Sequence, residues 1–244
     1  MKLTEEQFKQ VLLEKASNIN VNLNNEQLNS YYIYKEMLVE WNNKINLTAI
    51  TDDEEIIDKH IIDCLEVVKY IKEGQSIIDV GTGAGLPGII IAIYFESKVK
   101  VTLFDALNKR IIFLKEVIDK LKLNNVEAIH GRAEETSKEE KHREVYDIVI
   151  SRAVARLNIL MELTVPFVKV SGSCLYMKSE KTSEELLEVS KAVKELSIKH
   201  VDTIEYTVKS NNEEYKRTII VYKKLEQTKE KYPRQYSKIK KNPL

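Results

Sequence analysis

The sequence predicts a doubly wound α/β fold, in which a mostly parallel sheet with an antiparallel edge follows an N-terminal helical extension. Short β-rich runs alternate with helical runs from Ser76 onward, a pattern typical of βαβ units. The early β-rich runs are apolar along their length, as strands buried on both faces are. Two strand-like runs then follow each other closely near the C-terminus, which indicates an antiparallel pair at one edge.

The size of the chain favours one large globular unit. It has 244 residues, of which 43% are hydrophobic, with 7 glycines and 4 prolines. This composition supplies enough apolar side chains for a sizeable core and argues against a mainly disordered chain. We expect a helical extension at 1–71 packed on the core, a main domain at 72–225, and a basic tail at 226–244.

Helical spacing of apolar residues predicts three helices between Thr4 and Ile71. Thr4 with Gln7, and Thr51 with Glu54, have the spacing of capping boxes and predict two of the helix starts. Strand-like runs then occur at 76–80, 100–104, 126–130, 146–151, 173–177, 205–208 and 217–223. Helical patterns connect the first five of them.

Charge is balanced overall but uneven along the chain. The protein has 38 basic and 38 acidic residues, whereas 223–241 holds eight Lys or Arg against two Glu. Such a block is either a solvated terminus or a contact for a polyanion such as RNA. The termini and the apolar runs predict neither a signal peptide nor a membrane span, so we expect a cytoplasmic protein. The four histidines and two cysteines lack the spacing of a metal site, and none is expected.

A glycine loop follows the first predicted strand directly. Gly81, Gly83 and Gly85 alternate in this loop, which ends at Leu86 and leads into an apolar helical run. Strand, glycine loop and helix together are typical of a nucleotide site, because bare backbone and helix N-terminal N–H groups can face the ligand. Asp105, at the end of the second strand, has the position of a carboxylate that holds a ribose.

Two cofactors suit this pattern. Gly83, Gly85 and Gly88 fit the GxGxxG spacing of NAD sites. Three features favour S-adenosylmethionine (SAM) instead. The glycine pattern begins one residue after the strand, Ala133 and Glu134 follow the third strand where they could border an adenine, and the predicted sheet ends in an antiparallel pair, as in class I methyltransferases.

Several motifs, in order, resemble the RsmG (GidB) family of bacterial small-subunit rRNA methyltransferases. They are WNNKINLTAI (41–50), HIIDCL (60–65), DVGTGAGLPG (79–88), FDALNKR (104–110), HGRAEE (130–135), ISRAVA (150–155) and YPRQYSKIKKNPL (232–244). The resemblance covers residues 34–244. It implies a Rossmann-like class I SAM-dependent fold and methyl transfer to N7 of a guanine in the 530 loop of 16S rRNA.

The resemblance also implies roles for individual residues. Gly81 and Leu86 would line the methionine and adenosine side of SAM, and Asp105 would accept the ribose hydroxyls. Ala133 and Glu134 would border the adenine, whereas Arg152 would reach the cofactor or substrate pocket. The partner that the resemblance implies is 16S rRNA or a small-subunit precursor. We also expect the protein to act as a monomer.

The implied chemistry needs no general base, because guanine N7 carries a lone pair and no proton. Base contacts would come from hydrogen-bond donors to O6 or from stacking. The candidates for contact with the base or the RNA are Asn46, His60, Arg110, Arg156, Lys178, Lys231 and Arg234. A structural role is the stronger interpretation of His60. We further predict that the basic tail shares one rim beside the cofactor with Lys109, Arg110, Arg152, Arg156 and Lys178.

Two other functions stay open at this point. An NAD-dependent oxidoreductase would bind NADH and ignore S-adenosylhomocysteine (SAH). A non-catalytic RNA-binding module would keep RNA binding and cellular function when Gly81 is replaced by a bulky residue.

Overall fold

The computed structural model describes residues 2–152, 154–179 and 182–244. The N-terminal region is helical, with α1 (Glu5–Asn18), α2 (Asn25–Ile45) and a third segment composed of α3 (Asp53–Ile56), a π-helix (Ile57–Ile62), α4 (Asp63–Leu65) and a 3₁₀ turn (Glu66–Tyr70). The capping box of Thr4 and Gln7 is confirmed. The box at Thr51 is wrong, because the Asp52 carboxylate caps α3 through the N–H groups of residues 54 and 55.

In the described part of the chain seven strands form one sheet: β1 (Ser76–Val80), β2 (Lys100–Asp105), β3 (Val126–His130), β4 (Tyr146–Arg152), β5 (Val168–Lys178), β6 (Ile198–Ser210) and β7 (Glu213–Lys224). Their order is β3-β2-β1-β4-β5-β7-β6. The first five strands run parallel, whereas β7 runs antiparallel to both β5 and β6. The predicted fold class, including its antiparallel edge, is therefore confirmed.

Further helices cover the two faces of the sheet: α5 (Gly88–Phe95), α6 (Asn108–Leu121), α7 (Ala133–Thr136), α8 (Leu157–Thr164), α9 (Thr182–Leu187), α10 (Ser190–Glu195) and, in the tail, α11 (Tyr236–Lys241). Successive residues of β1 face opposite ways. Ile77 packs into a core shared with α1, α2, α5 and α6, and Ile78 packs into a second core with α8, α10 and the tail. Burial on both faces explains why the central strands are apolar along their length.

Helix α5 is apolar on all sides because it lies between the sheet and α2. Two buried tyrosines of α2 fix this packing: the Tyr31 hydroxyl donates to the carbonyl of Ile90 at 3.0 Å, and the Tyr34 hydroxyl donates to the carbonyl of Ala84 at 2.9 Å. The second bond ends in the glycine loop. The helical extension therefore holds this loop in place.

The β6–β7 hairpin extends beyond its neighbour. The pairing of β5 with β7 reaches Lys178 opposite Thr218, whereas residues 213–217 of β7 continue to pair with β6 past that point. The Tyr206 hydroxyl of β6 donates to Asp63 at 2.7 Å. The projecting half of the hairpin thus packs on the third helical segment and adds a wall that the parallel sheet alone does not provide.

Candidate functional site

A cavity of about 920 Å³ opens at the carboxyl ends of the parallel strands. Its lining comes from the glycine loop, the ends of β2, β4 and β5, residues 47–48, the π-helical segment and the β6–β7 hairpin. Strand order reverses between β1 and its neighbours β2 and β4, so the cavity lies at the switch point where open α/β sheets bind ligands.

The glycine loop is closed by one buried carboxylate. Asp79 Oδ2 accepts the Thr82 hydroxyl at 2.7 Å and the backbone N–H of Gly88 at 2.8 Å, joining the start of the loop to the start of α5. Burial raises the pKa of Asp79 to about 6. Gly81, Gly83 and Leu86 line the cavity. Gly85 instead packs inward, where an added Cβ would lie 2.5 Å from Ile89.

Asp105 faces the cavity from the tip of β2. Its Oδ2 accepts the N–H of Gly83 at 3.0 Å and Nη1 of Arg110 at 3.0 Å, and its Oδ1 accepts the N–H of Leu107 at 2.8 Å. The carboxylate therefore ties the glycine loop to the second strand. Ala133 and Glu134 begin α7 after the neighbouring strand β3, at the same end of the sheet, but outside the lining of the cavity.

Arg152 lies at the end of β4 and is bound to the third helical segment. Its Nη1 donates to Asp63 Oδ2 at 2.9 Å and to the carbonyl of Lys59 at 2.9 Å, and its Nη2 lies 3.4 Å from His60 Nδ1. The Arg152 side chain is 18% exposed and that of Asp63 is 4% exposed. The pair is thus a buried ion pair in the cavity wall rather than a surface salt bridge.

Asp63, Tyr206 and Arg217 are site residues that the sequence analysis missed. Tyr206 donates to Asp63 Oδ1, and Arg217 Nε lies 3.8 Å from the same oxygen. Burial and the adjacent Asp63 raise the pKa of Tyr206, which therefore stays protonated as a donor. All three residues line the cavity. Asp63 occurs in the HIIDCL motif, but nothing in the local pattern indicates that β6 and β7 would reach it.

The residues predicted to contact the target base have different surroundings. His60, Arg110 and Lys178 line the cavity, whereas Asn46 is an exposed left-handed C-cap of α2 and Arg156 forms an exposed ion pair with Glu188. Asn46 and Arg156 therefore lie outside the lining.

The ammonium group of Lys178 already has two hydrogen-bond partners within the protein. Its Nζ donates to the carbonyl of Ala155 at 2.6 Å and to Glu185 at 2.7 Å. These bonds join β5 to the loop after β4 and to α9.

The tail does not reach the rim of the cavity, so the predicted common basic patch is wrong. Arg143, just before β4 at the opposite end of the sheet, donates to the carbonyls of Thr228 and Tyr232. Arg234 binds Glu162 of α8, and Lys231 lies 3.2 Å from Glu195 of α10. Lys231 and Arg234 are therefore held on a different part of the molecule.

His60 is a buried structural residue of the cavity wall. Its Nε2 lies 2.9 Å from the Thr48 hydroxyl, and its Nδ1 faces Arg152. Because Arg152 can only donate, Nδ1 accepts and Nε2 carries the proton. Burial, with the Arg152 cation adding to it, lowers the pKa of His60 to about 4.

We expect His60 to make the protein sensitive to acid. The unfolded chain binds a proton at His60 near pH 6.5, whereas the folded chain resists it until about pH 4, so stability falls as the pH drops between these values. The full shift in the pKa of His60 corresponds to a loss of about 3 kcal/mol in the free energy of unfolding. The free energy of unfolding in urea, measured at pH 7 and pH 4.5, should fall less in His60→Gln than in the wild type. Equal losses in the two proteins would contradict this assignment.

Among the described residues no helix is both long and apolar enough to cross a membrane. The same residues contain no group of three or more His, Cys, Asp or Glu side chains placed to hold a metal ion.

Solved structures share the fold. A SAM-dependent methyltransferase from Aquifex aeolicus matches 70% of this chain and 94% of its own, with a TM-score of 0.52 and 20% identity. The YcgJ protein from Bacillus matches 68% of this chain and 100% of its own, with a TM-score of 0.53 and 13% identity. At these identities the similarity concerns the fold.

Relatives found by sequence have a much higher identity to this chain than these structures. Ribosomal RNA small subunit methyltransferase G of Clostridium botulinum (strain Loch Maree / Type A3) is 43% identical, covering 98% of this chain and 99% of its own. The protein of the same name from Acetivibrio thermocellus is 46% identical, covering 98% of each chain. The family model for rRNA small subunit methyltransferase G matches residues 24–220. With this match and these relatives, the chain belongs to the rRNA small subunit methyltransferase G family.

Proposed function

We propose that this protein binds SAM in the cavity and transfers its methyl group to N7 of a guanine in the 530 loop of 16S rRNA. The observation that carries the proposal is the meeting of the glycine loop and Asp105 in one open cavity at the switch point of the sheet. Membership of the rRNA small subunit methyltransferase G family supports the substrate class.

The residues of the cavity suit SAM in size and chemistry. A volume of about 920 Å³ lies within the range of sites for small molecules and leaves room for part of a second ligand. Gly81 and Gly83 present bare backbone, and a Cβ added at Gly83 would meet nothing closer than the Gly81 carbonyl at 4.0 Å. Leu86 offers an apolar surface beside them.

Asp105 is the residue that would hold the ribose. A carboxylate has about four acceptor positions. The N–H groups of Gly83 and Leu107 and the side chain of Arg110 use three of them. The Asp105 side chain is 3% exposed and lies against Arg110, which is 32% exposed, so a ribose that binds Asp105 would displace or share the contact with Arg110.

The protein contributes to this reaction by positioning the base and the methyl group, not by transferring a proton. Bound SAM supplies a methyl group on a sulfonium sulfur: the bond from N7 to carbon forms as the bond from sulfur to carbon breaks, its electron pair returns to sulfur, and no proton moves. His60 is not required as a base, and its two nitrogens are occupied by Thr48 and Arg152. Holding the base and the methyl group in line can supply on the order of 7 to 11 kcal/mol of the barrier.

Methylation of 16S rRNA tests the proposal. Small ribosomal subunits, and their free 16S rRNA, from cells that lack the enzyme are incubated with the purified protein and SAM labelled in the methyl group. We expect label in 16S rRNA, and strand cleavage at one guanine of the 530 loop after borohydride and aniline treatment, which acts at 7-methylguanosine. Absence of label from both substrates would contradict the proposal.

Calorimetry separates the alternatives. Binding of NADH without binding of SAH would favour an oxidoreductase. Binding of RNA and SAH without methyl transfer would favour a non-catalytic module.

A further inference from the structure

Among the described residues four Lys or Arg side chains line the cavity, and three of them are bound to protein partners. Arg110 is bound to Asp105, Arg152 to Asp63 and the carbonyl of Lys59, and Lys178 to Glu185 and the carbonyl of Ala155. The fourth is Arg217 of β7. Within the described chain, its one hydrogen bond runs from Nη1 to the carbonyl of Lys216 at 3.1 Å.

Arg217 is nevertheless held in a defined place. Its guanidinium carbon lies 5.5 Å from the centre of the Tyr215 ring, and its Nε lies 3.8 Å from Asp63 Oδ1. The same ring contacts the ammonium group of Lys59, 4.4 Å from its centre. The side chain is 21% exposed. A guanidinium has five N–H donors, so a positioned side chain with unused donors faces the cavity.

We propose that Arg217 donates hydrogen bonds to O6 of the target guanine and thereby selects guanine. This inference rests on the proposed function, because it assigns the residue that reads the base at that site. Arginine commonly contacts guanine through O6 and N7. When N7 attacks the methyl group, O6 is the acceptor that remains on that edge. Adenine presents an amino donor at the same position, which would oppose a guanidinium donor.

The carboxylate of Asp63 offsets part of the positive charge beside the base. Methylation at N7 leaves the base positively charged, and a cation beside it would oppose this change. Asp63 lies close to Arg217 and is also paired with Arg152, so one carboxylate neutralises the charge of one of these two guanidinium groups. The projecting hairpin places this donor in the lining of the cavity that the glycine loop also lines, so a base facing SAM would lie in the same cavity.

Atomic substitution in the RNA tests the contact. The full-length protein is assayed on 16S rRNA assembled with either guanine or 2-aminopurine at the target position, since 2-aminopurine keeps N7 and lacks O6. We expect the wild type to lose kcat/KM by about 10- to 100-fold on 2-aminopurine, as for loss of one good base contact. Arg217→Ala should show a similar loss on guanine and little further loss on 2-aminopurine.

Two controls accompany this variant. Arg156→Ala removes an exposed arginine outside the cavity and should keep the wild-type ratio between the two RNAs. The affinity for SAH should be unchanged in both variants. If Arg217→Ala loses SAH binding, Arg217→Lys replaces it in the comparison; its compact ammonium group should likewise reduce the ratio between guanine and 2-aminopurine.

The outcomes distinguish the two proposals. An active wild type whose ratio is preserved in the Arg217 variant would overturn the contact to O6 and leave the proposed function intact. A wild type that methylates neither RNA would overturn the proposed function, and this inference with it.

Discussion

Replacing Arg234 by alanine is expected to lower the free energy of unfolding by about 3 to 5 kcal/mol, the usual cost of leaving one partner of a buried ion pair without the other. Glu162 of α8 is fully buried. Its Oε1 accepts Nε of Arg234 at 2.8 Å and the backbone N–H of Arg234 at 2.9 Å, and its Oε2 accepts Nη2 at 2.6 Å. The alanine variant would keep the backbone bond and leave a buried carboxylate without its cation.

Urea unfolding of the variant measures this loss, and Arg156→Ala is the matched control. Arg156 also pairs with a glutamate, but the Arg156 and Glu188 side chains are 58% and 45% exposed. Exposed pairs contribute roughly 0 to 1 kcal/mol, so the control should change stability little. Comparable losses in the two variants would show that the tail is not anchored through Glu162.

This anchor explains why charge pattern alone gave the wrong place for the tail. Counting lysines and arginines shows an excess of positive charge but not which of them have buried partners. Arg234 is paired with a glutamate 72 residues earlier, and Ile239 and Leu244 are buried nearby. A partner at that sequence distance leaves no local signal, so a folded tail and a mobile one have the same pattern.

The parts of the site that could be predicted are those encoded locally. Strand β1 and the glycine loop are contiguous in sequence. Asp105 ends the next strand, β2, and because β2 pairs with β1 in parallel, Asp105 lies beside the loop. The wall formed by Asp63, Arg152 and Tyr206 could not be predicted in this way. Tyr206 is 143 residues from Asp63, and Arg152 is 89 residues from it. Only the packing of the hairpin and of the end of β4 on the helical extension brings these groups together.

A comparison of Gly81→Ala with Gly83→Ala should separate the structural demand of the loop from its role in binding. Both residues have positive φ, 76° and 60°, so alanine costs about 1 to 2 kcal/mol of backbone strain at either position. At Gly81 the new Cβ would also lie 2.4 Å from Cγ2 of Val154, whereas at Gly83 it meets open space. We expect Gly81→Ala to be less stable than Gly83→Ala by about 1 to 3 kcal/mol, the usual cost of overpacking.

If the cofactor lies on the loop, the two variants should rank differently in SAH affinity and in stability. The Gly83 methyl group would occupy the space in front of the backbone, so Gly83→Ala should stay folded and lose SAH affinity by roughly 10- to 100-fold, or about 1.4 to 2.8 kcal/mol. Thermal unfolding and calorimetry measure the two effects. Adding Val154→Ala to Gly81→Ala removes the colliding methyl groups and should recover stability, while the same change in Gly83→Ala should recover no affinity. A Gly83→Ala protein that binds SAH as the wild type does would mean that the ligand does not rest on this face of the loop, and the case for methyl transfer from this cavity would fail.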